Sequence, residues 1–189
     1  MKTAIARFLT IGVLATAGVV GYATASVADD VTCRGRIGRT TVDNVRVPDG
    51  ATCTLNGTRV EGNVIVGSRA VLVAKGVRVD GNIQAENAAR VNVKARSVVE
   101  GNIQVKQSGA VVVLNTRIDG DLQLEENSRA LRSKGNTIGG NLQAFQNRSR
   151  LTVQNNRIDG NLQCKENSPA PTGGNNVVRG NKEDQCARL

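Results

Sequence analysis

Val79-Asp80-Gly81-Asn82-Ile83-Gln84-Ala85 returns almost unchanged as Val99-Glu100-Gly101-Asn102-Ile103-Gln104-Val105, and that return decides the fold. Further copies stand at Val60-Glu61-Gly62-Asn63-Val64, Ile118-Asp119-Gly120-Asp121-Leu122-Gln123, Ile138-Gly139-Gly140-Asn141-Leu142-Gln143 and Ile158-Asp159-Gly160-Asn161-Leu162-Gln163, with a weaker one at Val178-Arg179-Gly180-Asn181. Their glycines step by 19 or 20 residues, a period that signals a solenoid. Within a copy Val79, Gly81, Ile83 and Ala85 share one parity and Asp80, Asn82 and Gln84 the other, the period-two pattern of a half-buried strand. A shorter alternation precedes each copy, as in Val71/Val73, Val91/Val93, Val111/Val113 and Leu151/Val153. Each unit therefore reads as two short strands and turns, with no room for a helix.

One such unit cannot bury its own apolar face, so units must stack at the ~4.8 Å spacing of hydrogen-bonded strands. The expected fold is all-β: a right-handed parallel β-helix of about seven 19–20-residue coils. The handedness follows from the period, since left-handed coils are built on hexapeptides and favour multiples of six. The repeat glycine takes an inward position, where a missing side chain permits a sharp bend or close backbone approach. Asn87, Asn127, Asn147 and Asn167, preceded by Glu86, Glu126, Gln146 and Glu166, read as stacked turn residues. The columns Asn82, Asn102, Asn141, Asn161 and Gln84, Gln104, Gln123, Gln143, Gln163 read as outward amide ladders that hold coils in register.

Outward from the repeats lie the ends. Lys2 and Arg7 precede an uncharged apolar run from Phe8 to about Tyr22, and A-x-A-type sites follow, so residues 1–28 read as a signal peptide cleaved after Ala25 or Ala28. The remaining divisions are an N-terminal cap over 29–47, repeats over 48–164, and a C-terminal coil and cap over 165–189. Cleavage removes two cations and no acid, so the net charge of +9 becomes 9 − 2 = +7. It also leaves Phe145 as the one aromatic residue, and a core without aromatics suits small aliphatic layers. Four cysteines in an exported chain imply two disulfides. Cys33 and Cys53 are one coil apart and Cys164 and Cys186 about one coil apart, which predicts Cys33–Cys53 and Cys164–Cys186, a staple at each end. Solenoids need such caps over their exposed edges, and Pro169-Ala170-Pro171-Thr172-Gly173-Gly174 breaks the last coil as a cap would.

The Gly-Asn-[Ile/Leu]-Gln coils resemble the bactofilin-like group of right-handed β-helix proteins, and more closely small secreted actinobacterial β-helix proteins of unknown function. The resemblance spans about residues 45–182 and rests on repeat form, so it implies a fold and no site. Bactofilins polymerise end to end in the cytoplasm; a signal peptide and stapled ends point instead to an exported monomer.

No residue set is assigned to catalysis. The chain has no His, no C-x-x-C spacing and no nucleotide-binding fingerprint, so neither a metal nor a cofactor is expected. Glu61, Asp80, Glu100, Asp119 and Asp159 form an outward acid column with Arg59, Arg78, Arg117 and Arg157 two residues earlier, a pattern that fits a salt-bridge ladder. The enzyme alternative is a polysaccharide lyase or hydrolase using Asp80, Glu100 and Asp119 as acids. Such enzymes usually carry long loops, which these coils lack. An ice-binding surface is a third reading, though it calls for a Thr column where Asn and Gln stand. The expected function is a non-enzymatic secreted structural or surface-binding solenoid, extracellular or cell-wall associated. Arg69, Arg90, Lys94, Arg96, Arg129, Arg132, Lys134, Arg148 and Arg150 fall on or beside the first strand of each unit while acids favour the second. These cations are candidates for contacting an anionic cell-wall polymer or polysaccharide, without specific nucleic-acid recognition and with no membrane contact after cleavage.

Overall fold

The computed structural model describes residues 30–189, so the signal-peptide expectation for 1–28 lies outside the described residues. Every regular element described is a strand. One turn consists of Ile83–Glu86, Arg90–Lys94 and Val98–Val99, and its neighbours repeat it in parallel register. The turns stack into three parallel sheets of nine, eight and eight strands, a β-solenoid with a three-sided cross-section. The first sheet contains the Ile83 strand, the second the Arg90 strand and the third the Val98 strand. About eight turns are wound.

Three strands per turn replace the expected two. Val79 and Ile83 both point inward and are fully buried, but Asp80 to Asn82 form a bend that ends one strand and starts the next. The bend needs the repeat glycine. A Cβ at Gly101 would stand 2.5 Å from Asn82 Oδ1 and 2.7 Å from the Gly81 carbonyl oxygen, so the corners of successive turns approach too closely for any side chain.

The extra turn comes from the segment expected as an N-terminal cap. Val31–Thr32, Gly35–Ile37 and Thr41–Val42 already pair with Val45–Val47, Thr52–Asn56 and Arg59–Val60. The corner after its third strand reads Val42-Asp43-Asn44-Val45, the repeat motif with its glycine deleted, which is why it escapes the 19–20 period.

The core is layered Val, Ala, Leu and Ile. Val91, Val93, Val111, Val113, Leu151 and Val153 are fully buried on the second sheet, as their parity requires, but Val71 and Val73 are not. A 19-residue step sets Leu72 and Ala74 in the columns of Val91 and Val93, so Leu72 and Ala74 are buried and Val71 and Val73 face outward. Phe145, outward on the first sheet, contributes nothing to it. Both disulfides form as spaced: Cys33–Cys53 with Cα atoms 5.6 Å apart and Cys164–Cys186 at 5.3 Å. Cys33 follows directly on the first strand, while in the next turn Pro48-Asp49-Gly50-Ala51 build a corner between strands. The Cys33–Cys53 bond therefore ties the turn that lacks this corner to the one that has it. At the other end the chain turns back through hydrogen bonds from Cys186 N to Glu183 O and from Leu189 N to Cys186 O, laying a buried Cys186 and a half-buried Leu189 over the last layer.

Candidate functional site

At each of the three corners, backbone amides leave the strand ladders and need other partners. Side-chain amides supply them. Between the third and first sheets the N–H of Asn63, Asn82, Asn102, Asp121, Asn141, Asn161 and Asn181 each donates to the side-chain oxygen one turn earlier, at 2.6–2.9 Å. Between the first and second sheets the direction reverses: Asn127 N donates to Asn147 Oδ1 at 3.0 Å and Asn147 N to Asn167 Oδ1 at 3.1 Å. Between the second and third sheets Thr116, Asn136 and Asn156 donate in the same sense to Asn136, Asn156 and Asn176.

The second of these ladders corrects the sequence reading. Asn127, Asn147 and Asn167 are buried ladder members, whereas Asn87 is an exposed residue with φ of 54°. Its equivalents are Glu126, Gln146 and Glu166, which share that left-handed conformation. The ladder position above Asn127 belongs to Ser108 and then Ala88. The third ladder was not anticipated from sequence at all, although Asn136, Asn156 and Asn176 recur at 20-residue spacing.

The outward faces are chemically distinct. The first sheet carries the glutamine column, with Gln84 donating to Gln104, Gln104 to Gln123, and Gln143 to Gln163 at 3.0–3.1 Å. The third carries the acid column, with every acid beside an arginine. Arg59 meets Asp80 at 2.6 Å, Arg78 pairs with both Asp80 and Glu100, Arg117 meets Asp119 at 2.7 Å, and Asp159 meets Arg179 at 3.3 Å. The hydrogen bond to Asp119, followed by its charge, raises the Arg117 guanidinium above its ordinary pKa. The three candidate acids Asp80, Glu100 and Asp119 are thus each held by a cation.

The second sheet is different. Its strands carry Arg36, Lys75, Arg90, Lys94, Arg132 and Lys134 and not one Asp or Glu. Arg69, Arg129, Arg148 and Arg150 stand at its corner with the first sheet, Arg129, Arg148 and Arg150 all exposed, and Arg96 stands at its corner with the third. All nine sequence candidates thus gather on one face and its two edges. Arg36 and Lys75 are additions: Arg36 lies in the turn read as a cap, and Lys75 shares the column of Lys94. Among the described residues, every ion pair lies on or beside the first and third sheets, and none engages these cations. The connections stay short, the longest inside the stack being the six residues 166–171. No group of three or more metal-ligating side chains occurs among the described residues. A scan against protein-family models and searches of curated proteins and of solved structures find no match for this chain.

Proposed function

We propose that the protein is an exported, non-enzymatic structural or surface-binding solenoid whose second sheet holds an anionic cell-wall polymer or polysaccharide. The observation that carries this is a sheet with six outward cations on its strands and no carboxylate among them. Cations without fixed counter-ions generate a field that concentrates polyanions and reads no base sequence. On the other two faces columns of outward side chains serve register, through glutamine bonds or ion pairs, although Arg157, expected in the ladder, is bypassed because Asp159 pairs with Arg179. The second sheet's outward side chains between Thr52 and Gln154 make no such bond to the next turn among the described residues, which leaves the cations among them available to a partner; the buried Asn92 Oδ1 is not. Two disulfides suit an oxidising compartment, and export places the rod where such polymers lie. The arginine partners of Asp80, Glu100 and Asp119 support a scaffold role for that column over acid catalysis.

Retention on immobilised heparin and on purified cell-wall fractions, measured against salt, tests this reading. The double reversal Lys94→Glu/Arg132→Glu should elute at clearly lower salt than the wild type, while Arg157→Glu on the third sheet should shift far less. Failure of the wild type to bind either matrix at physiological ionic strength would refute the proposal, as would equal shifts for the two faces.

A further inference from the structure

The cations of the second sheet are not spread evenly along the rod. Lys75, Arg90, Lys94 and Arg96 form one group and Arg129, Arg132, Lys134, Arg148 and Arg150 a second. Between them the turn through Ala110–Leu114 presents Ala110, Val112 and Leu114 outward, all half-buried, and its two corners carry no cation. In register, Leu114 lies between Lys94 and Lys134, and Val112 between Asn92 and Arg132. Two cationic rungs therefore flank one apolar rung, about 9.6 Å apart at the ~4.8 Å inter-strand spacing.

We infer that the partner is a linear acidic polysaccharide lying along the rod axis and carrying one anionic group per disaccharide. This rests on the polyanion reading above and narrows it. An extended disaccharide with alternating 1,3 and 1,4 linkages is close to two rungs long, so carboxylates on alternate sugars meet the Arg90–Lys94 and Leu131–Lys134 rungs on either side of the apolar one. The intervening sugar lays its C–H face on Ala110, Val112 and Leu114, which gives these outward aliphatic side chains a partner. A polymer charged on every sugar must place a carboxylate against that apolar rung, where no donor compensates its lost hydration. The apolar rung thus acts as the selective element.

The test compares hyaluronate, with one carboxylate per disaccharide, against polygalacturonate, with one on every sugar. Chains of matched length are titrated onto the protein at physiological salt, and Kd is read by biolayer interferometry. Hyaluronate should bind about tenfold more tightly despite its lower charge density, the factor expected from one uncompensated polar burial. Leu114→Lys joins the two groups into a continuous column with Lys94 and Lys134, and should reverse the order. Leu114→Gln removes the apolar contact without adding charge, and should weaken hyaluronate alone. If the wild type binds polygalacturonate as tightly as hyaluronate or more so, the disaccharide inference fails while the polyanion reading stands. If neither polymer binds, and heparin and cell wall do not either, both fail. A hyaluronate preference that survives Leu114→Lys in a protein with unchanged Tm also overturns the inference.

Discussion

Asn147 sits in the middle of a buried ladder with every polar atom of its side chain engaged, so its replacement measures what such a ladder is worth. Its Oδ1 accepts from the backbone N–H and the Nδ2 of Asn127, both at 3.0 Å, and its Nδ2 donates to the Leu124 carbonyl at 2.9 Å and to Asn167 Oδ1 at 2.8 Å. Asn147→Ala removes four hydrogen bonds where water does not reach. At roughly 1 kcal/mol each the loss is about 4 kcal/mol, concentrated on the orphaned Asn127 amide. Asn147→Ser should cost about half of that, because a hydroxyl can serve the amide as Ser108 Oγ serves Ala88 N at 3.0 Å. Asn147→Asp keeps both accepting roles but turns an acceptor toward the Leu124 and Asn167 oxygens. It should be the least stable variant at neutral pH. Its buried carboxyl is neutral more readily in the folded state, so its folded pKa lies above the unfolded value of about 3.9. The deficit is then largest above the folded pKa and shrinks as pH falls, since the protonated acid again supplies a donor. Urea unfolding at neutral and acidic pH, with hydrogen exchange at the Asn127 amide, reads all three. The ladder argument is refuted if Asn147→Ala falls within about 0.5 kcal/mol of wild type, or if Ser is no better than Ala.

Two further outcomes follow from the ends and the corners. Cys164→Ser/Cys186→Ser should lower stability by about 3 kcal/mol on loop-closure entropy for a separation of 22 residues, with early exchange confined to the last turn in hydrogen–deuterium mass spectrometry. Uniform exchange along the rod would contradict a local cap. Ala95 has φ of 64° at the corner where Gly57, Gly76 and Gly135 stand in other turns, so Ala95→Gly should raise stability by about 1 kcal/mol; a lowered Tm would show that the corner is not strained.

Much of this architecture could be read from residues, and the misreadings have definite causes. The stacking and both disulfides follow from a period that counts rungs. The third strand was hidden because the Asp80–Asn82 bend keeps inward and outward parity, so Val79 through Ala85 alternate as one strand would. The step from Gly101 to Gly120 is 19 residues, and that one-residue contraction sets Ala88, not Asn87, in the column of Asn127. The first turn lacks the repeat glycine and so leaves no periodic mark. The gathering of nine cations on one face and its edges was visible in their placement on or beside the first strand of each unit, but the uncharged rung between them was not. Val111 and Val113 match the parity of Val91 and Val93 and leave Val112 and Leu114 outward, but four consecutive aliphatic residues carry no polar mark of an exposed face.

That uncharged rung also bears on why one face differs from the other two. A solenoid must fix its register against one-residue slips, which would turn every inward side chain outward. Here that duty falls on the corner ladders, the glutamine column and the third-sheet ion pairs, which repeat their residue types from turn to turn. A column that bonds to itself varies little: where Ser108 or Asp121 replaces asparagine, the replacement still accepts the neighbouring amide. The second sheet's outward columns do vary: Val73, Asn92, Val112, Arg132 and Thr152 follow one another with no repeated chemistry. Positions excused from holding register can carry an aperiodic pattern, and recognition of a specific partner requires one. Transplanting the outward residues of the second sheet onto the third should therefore disturb folding, whereas the reverse exchange should leave a stable rod that no longer binds.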